Sequence, residues 1–229
     1  MTTTTATPIS HRLKTETQPL HDDAESHTFQ RALLKGQLTR EAYAAHMEQM
    51  LLLHQSLEAA LRSARDRDER VQRLVKDEYF QAPRLMSDLA HFGFDGTKAE
   101  PTTATTKLCE QLSSLTESNP VALIGHLYVL EGSNNGGRFI AMAVRKAYEL
   151  ENAGVEWLDP YGEAQRGKWG EFKTTLDELQ FSDDEADAIV NAAGDMFRGV
   201  SAMADDLCGP DAVVAVDPKD LKNRLTLTR

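Results

Sequence analysis

Cysteine is nearly missing from this 229-residue chain, which holds only Cys109 and Cys208. The two form no CxxC pair and fit no metal-ligand spacing, which argues against a disulfide scaffold and against a structural zinc site. No run of about 18 apolar residues occurs, so no membrane span is expected. The opening MTTTTATP has neither the basic nor the apolar region of a signal peptide, and cytoplasm is the default compartment. Positive charge is in short supply: 25 Lys and Arg stand against 36 Asp and Glu, a formal net charge of −11. That balance speaks against nonspecific partners such as nucleic acid or an anionic membrane. A GxGxxG fingerprint and a cysteine set for an iron–sulfur cluster are also lacking, so any redox chemistry draws its electrons from outside.

What the chain does contain is helix. Its 41% hydrophobic and 27% charged residues fit one globular domain with a substantial core. Residues 1–8 are expected to be a disordered segment, 9–208 an all-α single-domain bundle of about seven or eight helices, and 209–229 a tail with a short β-like run over 212–216. The first helix spans Ile9 to Phe29, where Pro19 either kinks it or marks a fresh start capped by Thr17. The second, capped by Thr39, runs to Arg65, and a third covers Arg67 to His91. A short one spans Lys107 to Leu115. Asn119 and Pro120 open a long helix that ends near Leu150. Two more follow, over Glu163–Leu179 and, capped by Ser182, to Leu207.

The long helix contains the stretch GHLYVLEGSNNGGRFIAMA, with Gly125, Gly132, Gly136 and Gly137 in its interior. Each glycine costs roughly 1 kcal/mol relative to alanine. A flat body lying against the backbone would offset that cost, and so would a close helix–helix crossing. On the first helix His21 is followed one turn later by Glu25, and Lys14 lies two turns earlier. Imidazole can hold one axial position of a haem iron, with the glycine helix over the opposite face. A packed or surface histidine is the plainer alternative.

Taken together, LHDDAES, LLKGQLTREAYAAHMEQMLLLHQSLE, YVLEGSNNGGRFI, YGEAQRGKWGEFKTTLDEL and IVNAAGDMF resemble, collinearly over Ile9 to Leu207, the biliverdin-producing haem oxygenases of the bacterial branch. The resemblance implies that His21 is the axial iron ligand and Glu25 the carboxylate that steadies it. It implies that Gly132, Gly136 and Gly137 are the distal glycines, and that Lys14, Tyr128 and Lys173 hold the propionates. Phe197 is then a pocket aromatic and His54 a polar member of the distal water network. Haem is cofactor and substrate at once, cleaved with oxygen and an external electron donor, a reductase or a ferredoxin, to biliverdin, carbon monoxide and iron.

Three positions depart from the family pattern. Ser133 stands where animal members carry an aspartate, and bacterial members commonly have serine there. Asn135 stands where leucine usually follows one polar residue, and it could bond oxygen or reshape the pocket. Pro19 would turn Lys14 away from His21 if it kinked the helix. These keep open a haem-binding or haem-carrying protein without degradation activity, and also a bundle of the same fold that binds no haem. His54 and Glu58 have metal-ligand spacing but no further ExxH set. Asp205 and Asp206 are expected to face solvent. The tail after Gly209 is either disordered or a docking segment for a reductase or a bilin-binding photoreceptor.

Overall fold

The computed structural model describes residues 7–151, 153–209 and 211–213. Among these, nine α-helices follow one another: α1 (Ile9–Ser26), α2 (Thr28–Leu34), α3 (Arg40–Arg65), α4 (Glu69–Leu74), α5 (Ala82–His91), α6 (Thr103–Ser118), α7 (Leu123–Tyr148), α8 (Gln165–Asp177) and α9 (Asp183–Leu207). The all-α architecture is as the sequence predicts. The expected disorder of the N-terminal segment and nearly all of the tail fall outside the described residues. Of the β-like run only residues 212 and 213 are described; Val213 forms an antiparallel bridge with Leu38, and the Ala212 carbonyl accepts from the Thr39 amide at 3.1 Å.

Local chemistry explains most boundaries. Thr39 accepts from the Ala42 amide at 3.1 Å to open α3. Ser182 and Glu185 exchange bonds as a capping box at the start of α9. Glu185 also takes both arms of Arg70, at 2.7 and 2.9 Å, which holds its carboxyl down at about 2. Arg70 bonds Asp68 as well, the cap of α4, so one guanidinium ties α4 to α9.

Other boundaries needed the fold. Pro19 does not mark a fresh start, since α1 runs on through it. Thr17 is buried mid-helix, donating to the Leu13 carbonyl at 2.6 Å instead of capping. Pro19 and Thr15, whose carbonyl loses its donor, are both exposed, so water can replace the missing bond. The first helix stops at Ser26 instead of Phe29. There His27 caps α2, accepting from the Phe29 amide, while its other ring nitrogen meets Asp205 of α9 at 2.9 Å. Asp206 accepts from the Ala104 amide at 2.9 Å, so this acidic pair anchors α1, α2 and α6 instead of merely facing solvent. The third expected helix is divided, because Glu58 of α3 accepts from the Ala82 amide at 2.8 Å and starts α5 there, with Pro83 in its first turn. Asn119 makes no side-chain cap, and a 3-10 turn over Pro120–Ala122 leads into α7.

The long helices α7 and α9 pack along each other, and α1 lies on α9. On the other side of α9 sits α6, which also packs on α3. No helix among the described residues is long and apolar enough to cross a membrane.

Candidate functional site

At 100° per residue, Gly125, Gly132, Gly136 and Ala143 of α7 fall within about 40° of one another on one face. The face is clamped at both ends. A Cβ on Gly125 would stand 2.0 Å from the Ile189 carbonyl oxygen, so α9 crosses there with backbone nearly touching backbone. At the far end, the Ala143 carbonyl oxygen lies 2.7 Å from where a Cβ on Gly36 would be, and Gly36 has φ of +62°. Between the clamps, which lie about 27 Å apart along the helix, a Cβ on Gly132 would meet the edge of Trp169 at 3.2 Å. A Cβ on Gly136 would meet nothing within 4 Å among the described residues.

The four interior glycines therefore have different reasons. Gly125 serves a helix crossing. Gly137 lies about 100° further round the helix than Gly136, and a Cβ there would be 2.2 Å from the Leu158 carbonyl oxygen. The missing side chain of Gly137 thus makes room for a loop of this same chain. Of the four, only Gly136 lacks an internal neighbour among the described residues, and a flat ligand against the backbone supplies one. One turn and two turns beyond Gly136, Phe139 and Met142 leave large apolar surface exposed.

His21 is half-exposed on α1, and the edge of its ring meets Phe197 of α9, with centroids 5.8 Å apart. Its Nε2 lies 3.5 Å from Glu25 and its Nδ1 3.4 Å from Asp22. Both carboxylates are largely exposed. When either nitrogen takes a metal, a carboxylate therefore remains to hold the other. Because α1 is unbroken, exposed Lys14 keeps its place two turns before His21 on the same side.

At the α7–α8 corner, Tyr128 packs on Trp169 at 5.1 Å, Trp169 stacks on Phe172, and Lys173 holds its ammonium 5.6 Å from the Trp169 ring centre. Burial pushes the Tyr128 phenol up, so it is a neutral donor. Trp169 was not anticipated, although it occupies the space beside Gly132. Ser133 and Asn135 are exposed, but each is turned back on its own helix. The Ser133 hydroxyl donates to the Leu130 carbonyl at 2.6 Å, and the Asn135 amide donates to the Gly132 carbonyl at 2.8 Å.

His54 is not on this face. It is fully buried behind α7, where with Glu58, Gln81, Glu131 and Asn134 it lines a cavity of about 10 Å³. Burial lowers its pKa to about 4, so it is neutral. His54 thus lies in a polar pocket on the side of α7 opposite the open glycine face. Among the described residues, no three His, Cys, Asp or Glu side chains gather as a metal cage, so His54 and Glu58 lack the partners of a dinuclear site. Glu131 was also missed, though its signal was legible: a single acid inside the apolar run HLYVLEG, on the buried side of the helix. Burial raises its carboxyl to about 7.

A histidine beside two carboxylates, and a glycine face clamped at both ends and open in the middle, are the parts that a haem-sized ligand needs. The profile described as Heme oxygenase matches residues 7–206. The chain belongs to the haem oxygenase family. It is 28% identical over 147 residues to heme oxygenase 2 of Synechocystis sp., a match covering 63% of this chain and 58% of that protein. The chain spans about half the length of the curated relatives it matches, 50 to 58% of each. The heme oxygenase of Leptospira interrogans superposes with a TM-score of 0.81 at 25% identity, covering 86% of this chain and 98% of that one. The crystal structure of the Synechocystis heme oxygenase-2 in complex with heme and NO gives a TM-score of 0.83 at 26% identity, covering 88% of this chain and 85% of that one.

Proposed function

We propose that this haem oxygenase family member binds haem against the open glycine face of α7, with His21 as axial ligand, and opens the ring to biliverdin with release of carbon monoxide and iron. The observation that carries this reading is Gly136, the interior glycine for which the protein offers no neighbour. Haem supplies the redox-active iron and, as the substrate, the ring that is opened. The residues of the chain do the rest. The Phe197 edge limits rotation of the His21 ring, and Glu25 or Asp22 fixes its proton. A neutral imidazole, unlike a thiolate, does not push electron density toward O–O cleavage. Lys14, Lys173 and the Tyr128 phenol offer two cations and a donor to the carboxylate arms. The backbone of Gly132 and Gly136 permits approach closer than any side chain allows. Electrons come from a separate reductase or ferredoxin-type donor.

Haem carriage without degradation is favoured by a different observation. The Ser133 hydroxyl and one of the two amide hydrogens of Asn135 are committed to carbonyls of α7 itself, leaving a single amide hydrogen for the open face. One titration separates the readings. Hemin added to the purified protein should give a Soret band, and reductant with oxygen should replace it by biliverdin absorption. Absence of a Soret complex removes both haem readings, whereas a Soret band that persists through turnover conditions removes the oxygenase. His21→Ala should lose the axial bond and change the spectrum. An unchanged spectrum would mean that another residue is the ligand.

A further inference from the structure

The Tyr161 hydroxyl poses a problem of hydrogen counting. It lies 3.1 Å from the Glu78 carbonyl oxygen and 3.2 Å from Glu131 Oε2. A phenol has one proton to donate, so with an ionised Glu131 one of these acceptors goes without. With a neutral Glu131 both bonds form: Tyr161 donates to the Glu78 carbonyl, and the acid donates to the Tyr161 oxygen. The surroundings agree. Glu131 is 2% exposed, its Oε1 has no partner, and Asn134 is its one amide donor, at 3.3 Å. Across the small cavity stand His54, which is neutral, and Glu58, both of α3, and Gln81, whose Nε2 is likewise unpartnered among the described residues. The cavity has room for about one water that would join these orphaned atoms. Glu78 repels a carboxylate here, and Lys168, the nearby cation, is already paired with Glu78.

The same short segment grips α7 a second time. Gln165, four residues after Tyr161, donates to Asn135 Oδ1 at 3.4 Å, and Asn135, four residues after Glu131, donates to the Gly132 carbonyl. The residues between the two grips are Gly132, Ser133 and Asn134, with Gly136 directly after.

We propose that Glu131 is a positioning residue, held as a neutral carboxylic acid that donates to Tyr161, and that this bond together with the Gln165–Asn135 bond sets the glycine segment against its ligand. The positioning part rests on the haem reading, whereas the neutral acid does not. Ionisation of Glu131 would draw the Tyr161 proton away from the Glu78 carbonyl and re-seat the segment. Glutamine, a neutral isostere with a donor, should keep the seat at every pH.

Two measurements test this. In the ligand-free protein, infrared spectroscopy should show a protonated-carboxyl stretch that disappears as pH rises through about 7, is absent from Glu131→Gln and shifts in Tyr161→Phe. No such band, or one that survives Glu131→Gln, overturns the neutral acid. Hemin affinity of the wild type should fall about fivefold or more over the same pH range, while that of Glu131→Gln stays flat. Equal pH profiles for the two proteins overturn the positioning role. If no variant forms a Soret complex, the haem reading fails and the positioning role with it, while the carboxyl band still decides the acid.

Discussion

Glu131 is the residue whose charge state separates the folded from the unfolded chain most usefully. Its carboxyl titrates at about 7 in the fold against 4.5 when solvated. Between those pH values the folded state holds the extra proton, so stability falls as pH rises from 4.5 to 7 and stays low above. The gap corresponds to about 3 kcal/mol. Glu131→Gln should therefore be more stable than the wild type at pH 8 by up to that amount, with the difference vanishing near pH 4.5. Urea midpoints at the two pH values read this directly, and a difference that does not change with pH would refute it. His21 was legible as a residue because its i+4 carboxylate and its place in a collinear set of motifs are local features. Glu131 was visible as an acid in an apolar run, but its role depends on Tyr161, 30 residues away.

At the scale of the element, the glycines of α7 give a test in which substitutions of the same type have opposite signs. Gly136→Ala adds a methyl into open space and removes the entropic cost of glycine, so the ligand-free protein should gain about 1 kcal/mol. Hemin affinity should fall, because the methyl occupies the face where the ring would lie. Gly125→Ala and Gly137→Ala push a methyl into the Ile189 and Leu158 carbonyls and should cost about 1–3 kcal/mol or more. Thermal melts without hemin decide it, since a Gly136→Ala protein destabilised like the other two would mean that the face is closed. The sequence showed that these glycines were costly and left two explanations open. The helix crossing is realised at Gly125, and the flat body is the reading proposed for Gly136. Helix boundaries followed a similar division. Thr39 and Ser182 caps were readable because a cap is a bond within a few residues, whereas α5 begins where it does because a carboxylate on α3 reaches its first amide.

Across the whole molecule, three buried histidines set the acid limit. His46 and His54 on α3 and His126 on α7 are each held neutral, with burial lowering the pKa to about 4. In the unfolded chain they would titrate near 6.5. The unfolded state thus binds the extra protons between 6.5 and 4, and stability is lost as pH falls through that window. Three such groups outweigh the opposing slope of Glu131, so the urea midpoint should decline steadily from pH 6.5 to pH 5. A level midpoint there would mean that the histidines are protonated in the fold. Hemin binding should raise the melting temperature at fixed protein concentration, by an amount that grows with free hemin, and His21→Ala should abolish most of that rise.

The sequence by itself determined the all-α class, the order of the helices and the caps at Thr39 and Ser182, the histidine with its neighbouring carboxylates and the costly glycine stretch. Periodicity, capping and propensity act over a few residues and leave their mark in the string. What the tertiary structure alone decided is what stands opposite each of those residues: backbone at Gly125 and Gly137, an indole at Gly132, open space at Gly136, and a polar pocket instead of the glycine face at His54. A missing side chain is explained only by what fills its place, and elements far apart in sequence bring that neighbour there.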